Sequence, residues 1–324
     1  MKKKLKGGTQ KIRNKTATAG HSEKQVYDKF LRINAPQKNN SIMKLSCSPS
    51  SKKKHNKPYS CLSDEILYKL KQMWNDRHPD AYIHTKNTEQ IWNTLKQNMS
   101  NVCNKESCWL KQEFTKGQMK HLLDNEFAPK SPDEWKKNPN EWLSSVDIMT
   151  VMKQYEDTFK CFNFIGPSPI DYDFKKEGGT CVWDELCNLS LKDEIKRGIN
   201  KLGIIFNLDR HYQPGSHWVS LFINIKKGII FYFDSAGAKI PKQIMKLVDN
   251  IIEQGKHLAT PITLVFDQNY PKEHQYGDTE CGVYSLFFII HMLEDKIDGQ
   301  YLKKNILNDK FMENFRNVFF NAEL

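Results

Sequence analysis

The string QYGDTECG at positions 275–282 sets an amide side chain six residues ahead of a cysteine, and the apolar run VYSLFFIIHML follows at once. Such a run reads as a buried helix with Cys281 in its first turn. The unpaired N–H groups and partial positive charge of a helix N-terminus favour an anion, so a thiolate there is stabilised. The same N–H groups can hold the oxyanion of an acyl-transfer intermediate, and the Gln275 amide can supply a further donor. A thiolate also needs a base to form it and return the proton, and a third group that orients the base. Upstream, His217 opens the apolar stretch HWVSLFIN and Asp234 closes the stretch IIFYFD.

Those two stretches read as strands joined by the short turn Lys226-Lys227-Gly228. An antiparallel pair returns its far ends to the same place, so His217 and Asp234 become neighbours. The expected roles are nucleophile for Cys281, general base and acid for His217, orienting carboxylate for Asp234 and oxyanion donor for Gln275. Taken singly, each residue has an ordinary explanation. A cysteine opening a helix is commonly a small buried hydrophobe, and an aspartate after a strand is commonly a turn residue. Four suitable types at consecutive element boundaries make the combination informative.

The rest of the chain must hold these residues in place. Its 324 residues suffice for one large core and a smaller appendage. No apolar run is long enough to span a bilayer, and the start MKKKLKGGTQKIRNK lacks the apolar stretch of a secretory signal. No membrane partner is expected. Eight cysteines are thinly spread, at 47, 61, 103, 108, 161, 181, 187 and 281. That density predicts reduced thiols, and without a CxxC pair a structural metal site is not expected.

The net charge of +11 is unevenly placed. Residues 1–57 carry 16 Lys and Arg against only Glu23 and Asp28, whereas the remainder is slightly acidic. This segment reads as a basic disordered tail that could contact nucleic acid or direct nuclear import. Residues 58–140 read as a helical arm. Ser63 caps a helix that sets Ile66, Leu67, Leu70, Met73 and Trp74 on one face, and a second, from about Glu89, aligns Ile91, Leu95, Met99 and Val102. Ser131-Pro132-Asp133-Glu134 predicts a capping box, and a further helix is expected from about Ser145. Residues 141–324 then form the catalytic domain. After Gly166-Pro167-Ser168-Pro169 it turns to mixed helix and strand, with a helix from Pro241 to about Gln254 and a strand over Ile262–Phe266.

The order His217, Asp234, Gln275, Cys281, within GSHWVSLFIN, FYFDSAG and QYGDTECGVYSLFF, resembles the SUMO and ubiquitin-like-protein proteases and the adenovirus-type cysteine proteases. It is more closely similar to the polyprotein-processing proteases of African swine fever virus and other large DNA viruses. The TECGVYSLFF run, His274-Gln275, and upstream CLSDEILYKL and CNKESCWL carry that likeness. The resemblance implies an α+β fold. It would be a permuted papain-like core, a central mixed sheet flanked by helices with the cysteine at a helix N-terminus. Glu280 departs from the aspartate usual in cellular members, while Asp234 departs from the asparagine of the viral ones. The likeness implies cleavage at or just after Gly-Gly, with Trp218 as a wall of a narrow substrate channel; in a bland reading Trp218 is simply buried in a strand.

By analogy, viral precursor proteins would be the substrates, in the virion and host cytoplasm, with DNA as an activating partner. The alternatives are an isopeptidase acting on ubiquitin-like proteins, or a packaged nucleic-acid-binding protein whose protease fold is inactive. Gly7-Gly8-Thr9 and Gly178-Gly179-Thr180 raise self-cleavage after Gly8 or Thr9 as a further expectation.

Overall fold

The computed structural model describes residues 46–55 and 57–322. The expected tail divides. Residues 1–45, with Gly7-Gly8-Thr9, lie outside the described residues, but residues 46–55 are folded. Helix α1 (Pro49–His55) buries Pro49 and Ser51 and turns Lys52, Lys53 and Lys54 outward. Ala128 N–H donates to Ser46 O at 2.7 Å and Ser48 N–H to Glu126 O at 3.0 Å. A one-sided pattern over so short a segment gives little hydrophobic periodicity, so its charge dominated the expectation.

The arm follows. In α2 (Asp64–Asn75) Ser63 accepts from Ile66 N–H as predicted; Leu67, Leu70 and Trp74 are buried. In α3 (Thr88–Asn98) Asn87 is the cap, and Ile91 and Leu95 are buried with Met99, whereas Val102 is exposed, beyond the helix end. Short turns α4 (Glu106–Trp109) and α5 (Leu123–Glu126) complete a separate small core around Trp92, Trp109 and Phe127. The predicted capping box at Ser131 is instead a single 3₁₀ turn over Asp133–Lys136 with no side-chain cap. The capping box lies at Ser144 and Asp147, opening α6 (Ser145–Thr158).

Six cysteines are paired, Cys47 with Cys61, Cys103 with Cys108 and Cys181 with Cys187. This corrects the expectation of reduced thiols. Folding brings distant or irregularly spaced cysteines together, which density along the chain does not register. Cys161 and Cys281 are free.

The catalytic region is built on five strands in chain order: β1 (Phe162–Pro169), β2 (Lys201–Asn207), β3 (Trp218–Asn224), β4 (Ile229–Phe233) and β5 (Val265–Gln268). The outer pairs are parallel and the inner pairs antiparallel, so the sheet is mixed as expected. Neither β1 nor β2 was predicted. Gly166-Pro167-Ser168-Pro169, after which mixed structure was expected to begin, is itself the irregular half of β1, where pairing to β2 shifts register after Ile165. The last strand starts three residues later than predicted.

Strand alternation gives the sheet two apolar faces. Val219, Leu221 and Ile223 pack with Ile244, Leu247, Val248 and Ile251 of α9 (Lys242–Lys256), beside the short helices α7 (Asp184–Cys187) and α8 (Leu191–Lys196). On the other face lies α10 (Cys281–Leu293), every residue of which is buried. Phe288 contacts Phe222, Phe231 and Phe233. Gly203 lets the helix approach β2, for a Cβ there would stand 2.7 Å from Ile289 Cγ2. Helices α11 (Gly299–Lys304) and α12 (Asp309–Phe319) close the chain, with Phe315 of α12 edge-on to Phe287.

Candidate active site

The β3–β4 hairpin pairs Ser220 with Phe233, so His217 and Asp234 emerge together at one end of the sheet. His217 Nε2 lies 2.7 Å from Asp234 Oδ1. That carboxylate oxygen also accepts from Ala236 N–H at 2.9 Å, which aims it at the ring. The Asp234 backbone is clamped in turn by the buried Asn269 side chain, at 2.9 Å to its N–H and 2.7 Å to its carbonyl. The turn beyond is tight. A Cβ at Gly237 (φ +70°) would stand 2.8 Å from Glu273 N, so the FYFDSAG string ends in glycine for steric reasons.

Cys281 opens α10, whose axis ends at the same place. Its sulfur is within hydrogen-bonding reach of the His217 ring. With Nε2 committed to Asp234, the nitrogen left for the thiol is Nδ1. Burial pushes the imidazole pKa down, but the bonds to Asp234 and Cys281 together outweigh it and hold the value at about 9. The imidazolium is therefore favoured at neutral pH. The first bond within α10 runs from Tyr284 N–H to Glu280 O at 2.9 Å, so the preceding N–H groups project from the helix end.

Gln275 is held from both sides. Its Nε2 donates to Gly277 O at 2.8 Å, and because a carbonyl only accepts, this fixes which end of the amide is nitrogen. Ser235 O–H then donates to Oε1 at 2.7 Å, and Ser235 O takes the N–H groups of His274 and Gln275 at 2.8 and 2.9 Å. One N–H of the amide remains for an oxyanion. His274, fully buried, accepts Leu307 N–H on Nδ1 at 3.2 Å; burial, then Lys272, lower its pKa to about 4. It is a neutral support of the loop.

The structure thus brings His217 to Asp234 and Cys281, holds Gln275 on Ser235 next to Asp234, and sets Trp218 beside His217. Its indole N–H donates to Leu143 O at 3.0 Å, and its face lines an open cleft of about 690 Å³. Trp142 lines the same cleft and is 39% exposed. Leu143 and Trp218 also press on Gly282, where a Cβ would stand 3.0 Å from Leu143 Cβ and 3.3 Å from Trp218 Cδ1. Sequence reasoning did not find Trp142, Ser235, Asn269 or Arg316. Ser235 was within reach, since it follows Asp234 in a quoted string; the others carry no local signal. Among the described residues no helix could cross a membrane and no cluster of His, Cys, Asp and Glu could hold a metal.

Residues 194–323 match the model of the C-terminal catalytic domain of the Ulp1 protease family. A protein of Acanthamoeba polyphaga mimivirus, named as a thiol protease, is 33% identical over 232 residues, covering 70% of this chain and 72% of its own. An African swine fever virus protein, named a cysteine protease in one isolate and a SUMO-1 cysteine protease in another, is 26% identical over 253 residues, covering 74% of this chain and 91% of its own. A crystal structure of the African swine fever virus protease superposes with a TM-score of 0.62 at 21% identity, covering 86% of this chain and 96% of that one. Fold and kinship thus point the same way as the convergence at Cys281, and the chain belongs to the Ulp1 protease family as a thiol protease.

Proposed function

We propose that Cys281 attacks the carbonyl after a Gly-Gly pair as an endopeptidase nucleophile, with His217 as acid and base. The observation that carries this reading is the His217 ring, bonded to Asp234 on one side and in reach of Cys281 on the other. The sulfur forms a bond to the carbonyl carbon, and the displaced electron pair rests on oxygen. The Gln275 amide and the N–H groups at the start of α10 receive that oxyanion. His217 gives its proton to the leaving amine as the C–N bond breaks. It then takes a proton from the water that cleaves the thioester, restoring the thiol site. Asp234 keeps the ring oriented throughout.

The cleft lined by Trp142 and Trp218 adjoins His217 through Trp218, and the resemblance to the SUMO and viral proteases supports Gly-Gly as the preference. The viral relatives support precursor proteins as substrates, processed during particle assembly in the virion and host cytoplasm. The name SUMO-1 cysteine protease supports the second reading, an isopeptidase acting on ubiquitin-like proteins. The basic excess of residues 1–57 would add nucleic-acid binding or a route to activation by DNA.

Incubation with a Gly-Gly vinyl-sulfone probe, followed by mass spectrometry, tests the site. Labelling confined to Cys281, greatly reduced in His217→Ala and absent in Cys281→Ala, is the expected result. No labelling of the wild type, with or without DNA, would overturn it. Gly-Gly-Xaa peptides run beside SUMO and ubiquitin conjugates then separate endopeptidase from isopeptidase. Retention of residues 1–9 in both wild type and Cys281→Ala would remove self-cleavage.

A further inference from the structure

Arg316 belongs to none of the motifs above, yet it touches the site from behind. It lies on α12, 5% exposed, with its guanidinium carbon 4.6 Å from the Trp135 ring centroid. Nε donates to both Glu280 oxygens at 3.0 and 2.9 Å, and Nη2 donates to Oε1 at 2.7 Å. Nη2 also reaches Thr279 O at 3.2 Å and Asn140 O at 3.3 Å, while Nη1 donates to Glu141 O at 2.7 Å. Glu280, 2% exposed, directly precedes Cys281. Asn140 and Glu141 directly precede Trp142, the lip of the cleft. One guanidinium therefore grips the start of the nucleophile helix and the rim of the substrate cleft.

A purely structural pair is the simpler explanation, but two features exceed it. Buried ion pairs are poor at adding stability, and apolar side chains of similar size commonly serve packing as well. Moreover, a carboxylate beside a thiolate opposes the very charge that the helix N-terminus favours, and a dry surrounding strengthens that opposition. His217, with Asp234 behind it, is the charged group that meets Cys281 from the sheet, while Asp278 and Glu280 precede it in sequence and Tyr284 follows one turn on. Asp309 and Arg316 approach from α12, and Asp309 Oδ2 accepts from Gly277 N–H at 2.9 Å. Among these, Arg316 is the group placed to cancel Glu280.

We propose that Arg316 is a positioning residue that neutralises Glu280, the residue directly before Cys281, and, through its fork, holds the Trp142 lip in register with the nucleophile helix. This rests on the reading of Cys281 as nucleophile.

The test follows iodoacetamide alkylation at the Cys281 peptide against pH, together with kcat and KM on a Gly-Gly peptide. In Arg316→Met the half-maximal pH for alkylation should rise by about half a unit or more, because Glu280 stands unneutralised. The double variant Glu280→Gln, Arg316→Met should return that pH towards the wild-type value while KM stays raised. Arg316→Lys keeps the charge but loses the fork, so it should hold the pH profile and raise KM several-fold. Glu280→Gln alone, available should Arg316→Met not fold, should lower the half-maximal pH. An unmoved pH profile in Arg316→Met, or in Glu280→Gln, overturns the charge role; an unchanged KM in Arg316→Lys overturns the lip role. Wild-type alkylation indifferent to His217→Ala would instead overturn the catalytic reading itself, which the Arg316 variants leave untouched.

Discussion

Two buried carboxylates, one in the arm and one in the catalytic region, show how differently similar groups can be used. Glu106 in the arm is 2% exposed and Asp234 is 1% exposed. Around Glu106 the network is closed: Ser60 O–H at 2.9 Å, Trp92 indole N–H at 2.7 Å and Cys61 N–H all donate to it. Burial lifts its pKa to about 7 even though these donors pull it down. Around Asp234 the network is open at one end, because His217 passes the interaction on towards Cys281. Burial alone does not mark a site. A chain of bonds that leads on to a thiol does, and of these two carboxylates it is Asp234 that has one, through His217.

The contrast breaks most visibly through His217. His217→Ala should lower kcat on a Gly-Gly peptide by about 10²–10⁴-fold in a protein that still folds. A fall of less than tenfold would mean that another base serves Cys281. Glu106→Ala should do the reverse. Three donors lose their acceptor, so stability should fall by roughly 2–4 kcal/mol with kcat within twofold, measured by urea unfolding and steady-state kinetics. A tenfold loss of kcat in folded Glu106→Ala protein would show that the arm participates in the chemistry.

How much of this was legible in the sequence follows the same division. The candidate site residues sit at the ends of elements with strong patterns, a hairpin of apolar strands and a long apolar helix, so local order placed them. β2 (KLGIIFN) is as apolar as β3, but its parallel partner β1 lies beyond the intervening helices α7 and α8, and it carries a central glycine that makes sense only under α10. The Gly-Pro-Ser-Pro half of β1 has the chemistry of a turn and is held in the sheet by its neighbour. Cys47 and Cys61, separated by 14 residues, meet only because α1 folds onto the arm. Arg316 is an unremarkable residue in an amphipathic helix until Glu280 is seen beneath it. Local chemistry can be read from local sequence, whereas the supports of that chemistry come from long-range contacts.

Titration separates the regions more finely. The folded pKa of His217, about 9, stands above its ordinary 6.5, so its stabilising effect is complete below pH 6.5 and is lost as pH rises towards 9. His274 and His291 are held down to about 4 and about 3, chiefly by burial, so they cost stability as pH falls below 6.5. These histidines together place a stability maximum near pH 6.5, with the acid flank, to which two groups contribute, steeper than the alkaline one. The arm should behave otherwise: Glu106, raised from 4.5 to about 7, costs stability as pH rises through that interval. Urea unfolding from pH 4 to 9 checks the maximum, and Asp234→Asn should flatten its alkaline flank. An alkaline flank unchanged in Asp234→Asn would disconnect that carboxylate from His217.

The smallest expected effect probes the join between nucleophile and cleft. Gly282→Ala places a methyl group 3.0 Å from Leu143 Cβ and 3.3 Å from Trp218 Cδ1, closer than such atoms ordinarily rest. Helix α10 is pinned by its contacts with the sheet, so the cleft wall must yield instead. Trp218 can shift only by straining its 3.0 Å bond to Leu143 O, and Leu143 is joined to Trp142, which lines the same cleft. The methyl group itself favours the helix, and this offsets part of the packing cost. The expected outcome is a rise in KM of about tenfold, equivalent to about 1.4 kcal/mol, with kcat reduced much less and Cys281 alkylated at a near-normal rate. If kcat falls and KM does not, the displacement has reached the oxyanion donors, and the nucleophile and the cleft cannot be adjusted separately.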